Sequence, residues 1–198
     1  MRLFAIVLGA LLPCLAAAPD VDKAKGLGNP AAPLRLEVYS DYMCPHCKAF
    51  HETTRKTLIR DYVNTGKAYL VSREHPLGVP SFPYSREAAN YATAAARVGK
   101  YRSVVDALFR EQNSWSMTGK VWDTVASALT AAEQKKVLAL AKDPEVLAEV
   151  QRDVDAALKA NLTGTPGMMI IHGQKRQPWP TLDNYTFLSS YLDGLLKK

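Results

Sequence analysis

Two cysteines three positions apart, Cys44 and Cys47, stand where an alternating strand pattern gives way to a helical one. This junction constrains the fold more than any other feature of the chain. Leu34-Arg35-Leu36-Glu37-Val38-Tyr39 alternates apolar and polar residues, the period of a strand with one buried face. Ser40 and Asp41 follow as helix-starting side chains. From Pro45 to Val63 the pattern predicts one helix, with Phe50, Thr54, Leu58 and Tyr62 on a single stripe. Asn64-Thr65-Gly66 stops it, and Ala68-Tyr69-Leu70-Val71 reads as a second strand. Strand, helix and strand in that order favour a parallel pair.

Residues 19–33 read as an extended lead-in. His75 to Pro83 is a proline-rich loop, and a helical region opens at Ser85 and runs to Ala160, with helical stretches at Ala88–Val98, Tyr101–Gln112, Val121–Leu129, Ala131–Ala141 and Pro144–Ala160. Within it Thr130-Ala131-Ala132-Glu133 has the spacing of a capping box. Beyond Gly164-Thr165-Pro166-Gly167 come an apolar strand, Met168 to Ile171, a two-residue turn at Gly173-Gln174, and a returning strand, Lys175 to Trp179. Asp183 is placed to cap a last helix that buries Leu188, Tyr191, Leu192 and Leu195. The expected class is α/β. Residues 19–80 and 161–198 form a small sheet with helices on both faces, and residues 81–160 form an inserted all-helical domain.

The first eighteen residues have the layout of a secretory signal peptide: basic Met1-Arg2, apolar Leu3 to Leu12, then small Ala16-Ala17-Ala18. The apolar stretch is far short of the ~20 residues that span a bilayer. Cleavage near Ala18 would discard Cys14, so the exported chain keeps Cys44 and Cys47 alone. The formal charge of +6 is dispersed, with no basic run, which reads as solvated surface and excludes a nucleic-acid footprint.

Chemistry follows from placement. A thiol at the first turn of a helix faces unpaired N–H groups and a partial positive charge, both of which favour its thiolate. The thiolate is the species that attacks and that leaves in disulfide exchange. Pro45 suits the first turn because its missing N–H has no partner there anyway. His46 can place a donor or a positive charge beside the sulfur. Cys44 is therefore the expected nucleophile and Cys47, one turn on, the resolving thiol. A zinc site lacks a second cysteine pair, although His51 is near in sequence. A purely structural Cys44–Cys47 disulfide would close so short a loop that it constrains the unfolded chain little. On the residues alone the Thr165–Pro166 bond is read as trans, since cis forms are ~5–6% of such bonds. His51, His75 and His172 read as surface or turn residues, and Trp115, Trp122 and Trp179 as core.

Cys44-Pro45-His46-Cys47 after a strand, with Gly164-Thr165-Pro166 before the next, resembles the DsbA family of periplasmic dithiol oxidases. Gly99-Lys100-Tyr101 and Leu108-Phe109-Arg110-Glu111-Gln112 resemble that family's helical insert. The resemblance spans about Gly26 to Leu196. It implies a thioredoxin-like fold with a helical insertion and a cis Pro166. It implies that Thr165 offers backbone hydrogen bonds to an extended substrate, in a groove near both motifs. No cofactor beyond a redox-active Cys44–Cys47 disulfide is implied. The resemblance implies reoxidation by a membrane quinone reductase of DsbB or VKOR type. With the export signal and the lone cysteine pair, the leading expectation is a periplasmic monomer that acts on reduced or unfolded exported proteins. Rival expectations are a reductase or isomerase on the same frame, and a binding module with a structural disulfide. Many relatives carry a buried acid six positions before the first cysteine, where Val38 stands here. Glu37 should point to the opposite strand face, and Asp41 lies closer, so the proton path behind Cys47 is left open.

Overall fold

The computed structural model describes residues 21–179, 182 and 184–197. The expected signal segment with Cys14, and the expected cap Asp183, lie outside the described residues. A short helix, α1 (Val21–Lys25), leads into β1 (Gly26–Leu27). Then come β2 (Leu34–Ser40), α2 (Pro45–Glu52), α3 (Thr54–Leu58), a π-helical turn (Ile59–Val63) and β3 (Ala68–Glu74). Six helices follow: α4 (Ser85–Ala96), α5 (Tyr101–Arg110), α6 (Gln112–Thr118), α7 (Val121–Ser127), α8 (Ala131–Leu140) and α9 (Pro144–Lys159). The chain returns through β4 (Gly167–His172) and β5 (Lys175–Trp179) to α10 (Tyr185–Leu196).

The sheet order is β1-β3-β2-β4-β5. β2 and β3 are parallel in the register Val38↔Ser72, as the strand–helix–strand reading requires, and the other pairs are antiparallel. One face of the sheet carries Leu34, Leu36 and Val38, which pack with Phe50, Leu58, Leu188 and Leu192 from α2, α3 and α10. Each of these fully buried leucines contributes ~1.5–3 kcal/mol relative to exposure. On the opposite face Tyr39 and Met169 meet Ala157 of α9 and the following Leu162. The helices between β3 and β4 close around Ala92, Val104, Leu108, Trp115, Val121 and Val150. Met43, Cys44 and Cys47 belong to this helical core, so the start of α2 is wedged between sheet and helices.

The structure departs from the sequence reading in four places. The lead-in is not simply extended: residues 21–25 are helical, and Gly26–Leu27 pairs with β3 as an edge strand. The helix expected from Pro45 to Val63 breaks at Thr53, whose backbone leaves the helical region (φ −122°, ψ −84°). There the Thr53 hydroxyl donates to the Ala49 carbonyl at 2.6 Å, the local competition by which threonine bends helices. Residues 112–118, beyond the expected end at Gln112, form a further helix, α6. The described cap of α10 is Asn184, which accepts from the Phe187 N–H at 2.9 Å. Elsewhere the local signals hold. Thr130 and Glu133 form the capping box, and Asp143 with Pro144 opens α9, whose Val146, Val150, Val154 and Ala157 line its buried side.

Candidate active site

Cys44 is the N-cap of α2 (φ −72°, ψ 121°), with exposed Pro45 in the first turn. Its carbonyl accepts from the N–H groups of Cys47 at 3.1 Å and Lys48 at 3.2 Å, which sets the sulfur against the open end of the helix. Both cysteines are thiols here. Cys44 retains 4% exposure and Cys47 none, so an incoming sulfur can reach only the first. His46 is exposed beside the pair.

The two sulfurs have opposite electrostatics. The Cys47 thiol donates to the Cys44 sulfur, which outweighs burial. With help from the Thr165 side chain and the Cys47 and His46 N–H groups, the Cys44 pKa falls from 9.0 to about 5. Burial pushes the Cys47 thiol well above 9.0, and the adjacent Cys44 pushes it the same way. The backbone N–H of Asp41 donates to Cys47 Sγ at 3.4 Å.

The second motif meets the first in space. The Thr165–Pro166 peptide bond is cis, not the trans form read from the residues alone, as the family resemblance implies. The Cys44 thiol donates to the Thr165 carbonyl at 3.3 Å, across 121 residues of sequence. Thr165 Oγ1 is buried without a hydrogen-bond partner in the dithiol geometry, yet it lies near enough to both sulfurs to lower both pKa values. All six residues singled out in the sequence (Cys44, Pro45, His46, Cys47, Thr165 and Pro166) therefore fall at one corner.

The turn before Cys44 is held by side chains. The buried Asp41 carboxylate accepts from Met43 N (2.8 Å), Leu77 N (2.9 Å) and Ser85 Oγ (2.6 Å), tying this turn to the loop after β3 and to the first residue of α4. Burial raises its pKa while these bonds oppose the shift. Gln112 Nε2 donates to the carbonyls of Tyr42 (2.7 Å) and Cys44 (3.0 Å). Sequence reasoning gave Gln112 no such role, because a buried polar side chain at a helix start has no periodic signature. His75, read as a surface or turn residue, is buried edge-on to Tyr39, and burial lowers its pKa against the opposing pull of the Leu162 backbone. Val38 packs in the apolar layer with Phe50. Glu37 faces away, as the strand period requires, and is paired with Arg73 (2.8 Å), Arg35 (3.0 Å) and Arg176 (3.3 Å).

A second buried cluster adjoins the site through Tyr42. The hydroxyls of Tyr42 (3.3 Å) and Tyr101 (3.0 Å) both reach Glu74 Oε1. Lys25 Nζ lies 3.4 Å from Glu74, 2.8 Å from Glu149 and 3.7 Å from Asp153, and donates to Thr93 at 3.0 Å. Burial pulls the Lys25 pKa down, but the three carboxylates more than offset it and leave it raised. Burial also raises the Glu74 pKa to about 7 against the pull of Lys25. Among the described residues no group of three or more His, Cys, Asp or Glu is placed to hold a metal ion.

Comparison with known proteins agrees with this geometry. The thioredoxin family model matches residues 21–186. A thioredoxin-like oxidoreductase from Silicibacter pomeroyi superposes with a TM-score of 0.68 and 25% identity, over 87% of this chain and 92% of that one. DsbA2 from Pseudomonas aeruginosa gives 0.70 at 23% identity, over 88% and 95%. BdbD from Bacillus subtilis gives 0.68 at 21%, over 89% and 95%. A sequence relative of a different kind is the Na(+)/H(+) antiporter NhaA 3 of Salinispora tropica, 30% identical over 152 residues. That match takes in 77% of this chain and 22% of the antiporter. NhaA 1 of Mycolicibacterium gilvum is 26% identical over 81% of this chain and 25% of its own length, so the chain spans a quarter or less of these curated relatives. Among the described residues no helix is long and apolar enough to cross a membrane. With its thiol pair, its cis proline and helices set between β3 and β4, the chain belongs to the thioredoxin family, and its fold is like that of the DsbA proteins.

Proposed function

We propose that this chain is an exported, periplasmic dithiol oxidase that introduces disulfides into other exported proteins through Cys44 and Cys47. The observation that carries the proposal is the asymmetry of the pair: Cys44 titrates near 5, while Cys47 is held protonated. A nucleophile whose thiolate is stabilised favours the reduced enzyme, which makes the disulfide form a stronger oxidant.

In this reading a substrate thiolate attacks Cys44 Sγ of the Cys44–Cys47 disulfide. The S–S bond breaks, and Cys47 leaves and takes up a proton. A second substrate thiolate then attacks the substrate sulfur of the mixed disulfide, and Cys44 leaves as the stabilised thiolate. The substrate loses two electrons and the enzyme pair gains them. The Thr165 peptide, whose carbonyl accepts from the Cys44 thiol, would pair with an extended substrate strand. A membrane quinone reductase of DsbB or VKOR type would take the two electrons back. The proposed partition is that residues 1–18 direct export, residues 19–80 and 161–198 carry the thiol chemistry, and residues 81–160 are the helical insertion.

Titration of the pair against glutathione redox buffers tests the reading. Strong dithiol oxidants sit near about −120 mV and reducing thioredoxins near about −270 mV. A value close to the first is expected. A value close to the second would replace the oxidase with a reductase on the same fold. Cell fractionation of the full-length chain checks export.

A further inference from the structure

The end of the active-site helix away from the cysteines borders a cavity of about 590 Å³, within the size range of small-molecule sites. Its walls come from β1, from the stretch that includes α3, and from α5. The charge on them is one-sided. Arg55, Lys56 and Arg102 all line it, and the one acidic residue, Asp106, is held by His51 at 2.9 Å. No side-chain hydrogen bond or ion pair joins any of the three cations to another described residue. Arg55 is only partly exposed and also lines two voids of about 20 Å³ behind the cavity. Burial lowers its pKa and outweighs the opposing pull of Tyr101 and Asp106, while the neighbouring Arg102 adds a smaller push in the same direction as burial. A guanidinium withdrawn from water beside another guanidinium, with no hydrogen-bond acceptor among the described residues, is costly unless a ligand supplies the acceptors.

We propose that this cavity binds a small multivalent oxyanion of the phosphate class, free or as a lipid headgroup, gripped by Arg55 and Arg102 with Lys56 adding charge. Two guanidinium forks match phosphate oxygens in paired N–H···O geometry, and a lysine serves as a point charge beside them. A single carboxylate would leave two of the three cations uncompensated, so a multiply charged anion is the better complement. Asn64, on the same wall, offers a neutral donor. The site lies apart from the thiols and needs no particular redox state of the pair.

The test uses pyrophosphate as the soluble probe, followed by amide NMR in about 0.1 M NaCl, where long-range attraction is largely screened. Saturable shifts are expected at Arg55, Asn64, Arg102 and Asp106. Arg102 is exposed, so Arg102→Gln leaves the fold intact and should weaken binding by about tenfold or more, the loss of a charge-assisted contact. Arg55→Gln should do at least as much, and Arg55→Lys less. Replacing the remote Lys135 and Lys136 by Gln should change nothing. A second arm measures sedimentation with phosphatidate–phosphatidylcholine vesicles, whose phosphomonoester headgroup carries more than one negative charge. Retention that depends on Arg55 and Arg102 names the lipid headgroup as the source, and pyrophosphate binding without retention names a free anion. The proposal is overturned if neither probe saturates, or if binding to both survives the Arg55 and Arg102 substitutions unchanged.

Discussion

Two buried polar clusters lie side by side in this molecule and are built on opposite principles. Around Cys44, Cys47 and Asp41 the polar groups are satisfied mostly by backbone: helix N–H groups, the Thr165 carbonyl, and the N–H groups of Met43 and Leu77. Around Lys25 they are satisfied by charged side chains: Glu74, Glu149 and Asp153, with Arg97 on Glu149 at 2.8 Å. The backbone cluster leaves one sulfur free to change its charge and its bonds. The side-chain cluster joins α1, β3, α4 and α9, and a buried ion network of that kind is costly to disturb at any member. Chemistry is placed where the partners are fixed dipoles, and attachment of helices to sheet where the partners are full charges.

The comparison breaks most severely if its chemistry does not depend on Cys44. Cys44→Ser should abolish disulfide exchange with a reduced, unfolded client, and full activity in that variant would sink the mechanism. In the wild type, alkylation of Cys44 should stay fast down to a midpoint near pH 5. The linked stability has a definite sign. Between about 5 and 9.0 the unfolded thiol holds a proton that the folded one has lost, so the dithiol form gains stability as pH rises through that window. The gain is complete above 9.0 and is lost as pH falls through about 5. Cys47, shifted upward, acts in the opposite sense only above 9.0.

Next in size is Lys25→Met. It removes the cation shared by Glu74, Glu149 and Asp153, leaving Glu74 with no cation partner among the described residues. This should cost about 3–5 kcal/mol in denaturant unfolding, while leaving the redox potential of the thiol pair unmoved. A potential that shifted along with stability would mean that Tyr42 couples the two clusters into one. Glu74→Gln should cost less, because Glu149 still holds Lys25 at 2.8 Å. It should also remove a pH signature. With its pKa raised from 4.5 to about 7, Glu74 binds its proton more tightly when folded, so its contribution to stability falls as pH rises across that interval.

Asp41→Asn comes below these. The amide keeps one acceptor oxygen and turns a donor toward the Met43 or Leu77 N–H, a loss of about 1–3 kcal/mol. Since Asp41 is a positioning residue for the turn that carries Cys44, the alkylation midpoint should move as well. A loss of stability with an unmoved midpoint would assign Asp41 to the scaffold alone.

The two clusters also differ in how far they could be read from sequence. The thiol corner spans residues 41–47 and borrows one dipeptide, so spacing and turn chemistry exposed it, and Thr165-Pro166 stood out as punctuation before an apolar strand. The cis bond itself was not readable from the residues, because local sequence favours trans and tertiary contact decides. The Lys25 cluster draws on positions 25, 74, 93, 149 and 153, each an ordinary charged or polar residue in its own segment. Lys25 looked like part of a solvated lead-in because nothing local says that α1 docks on β3. His75 misled for the same reason. The strand, helix and hairpin order was legible because its periods are local, whereas the break at Thr53 depends on one side-chain bond to Ala49 that no periodicity reports.

A reference outside both clusters sets the smallest expected effect. Thr130 caps α8 by accepting from Glu133 N at 3.4 Å, and Glu133 Oε2 returns a bond to Thr130 N at 2.9 Å, all on an exposed surface. Thr130→Ala removes one half of that box and should cost about 1 kcal/mol. Neither the Cys44 alkylation midpoint nor the pH signature of Glu74 should move, because the lost bond touches no residue of either cluster. A Thr130 variant that altered either readout would show that the helical block transmits strain to the sheet as a whole. The division between a chemical cluster and an attachment cluster would then describe a single cooperative unit rather than two.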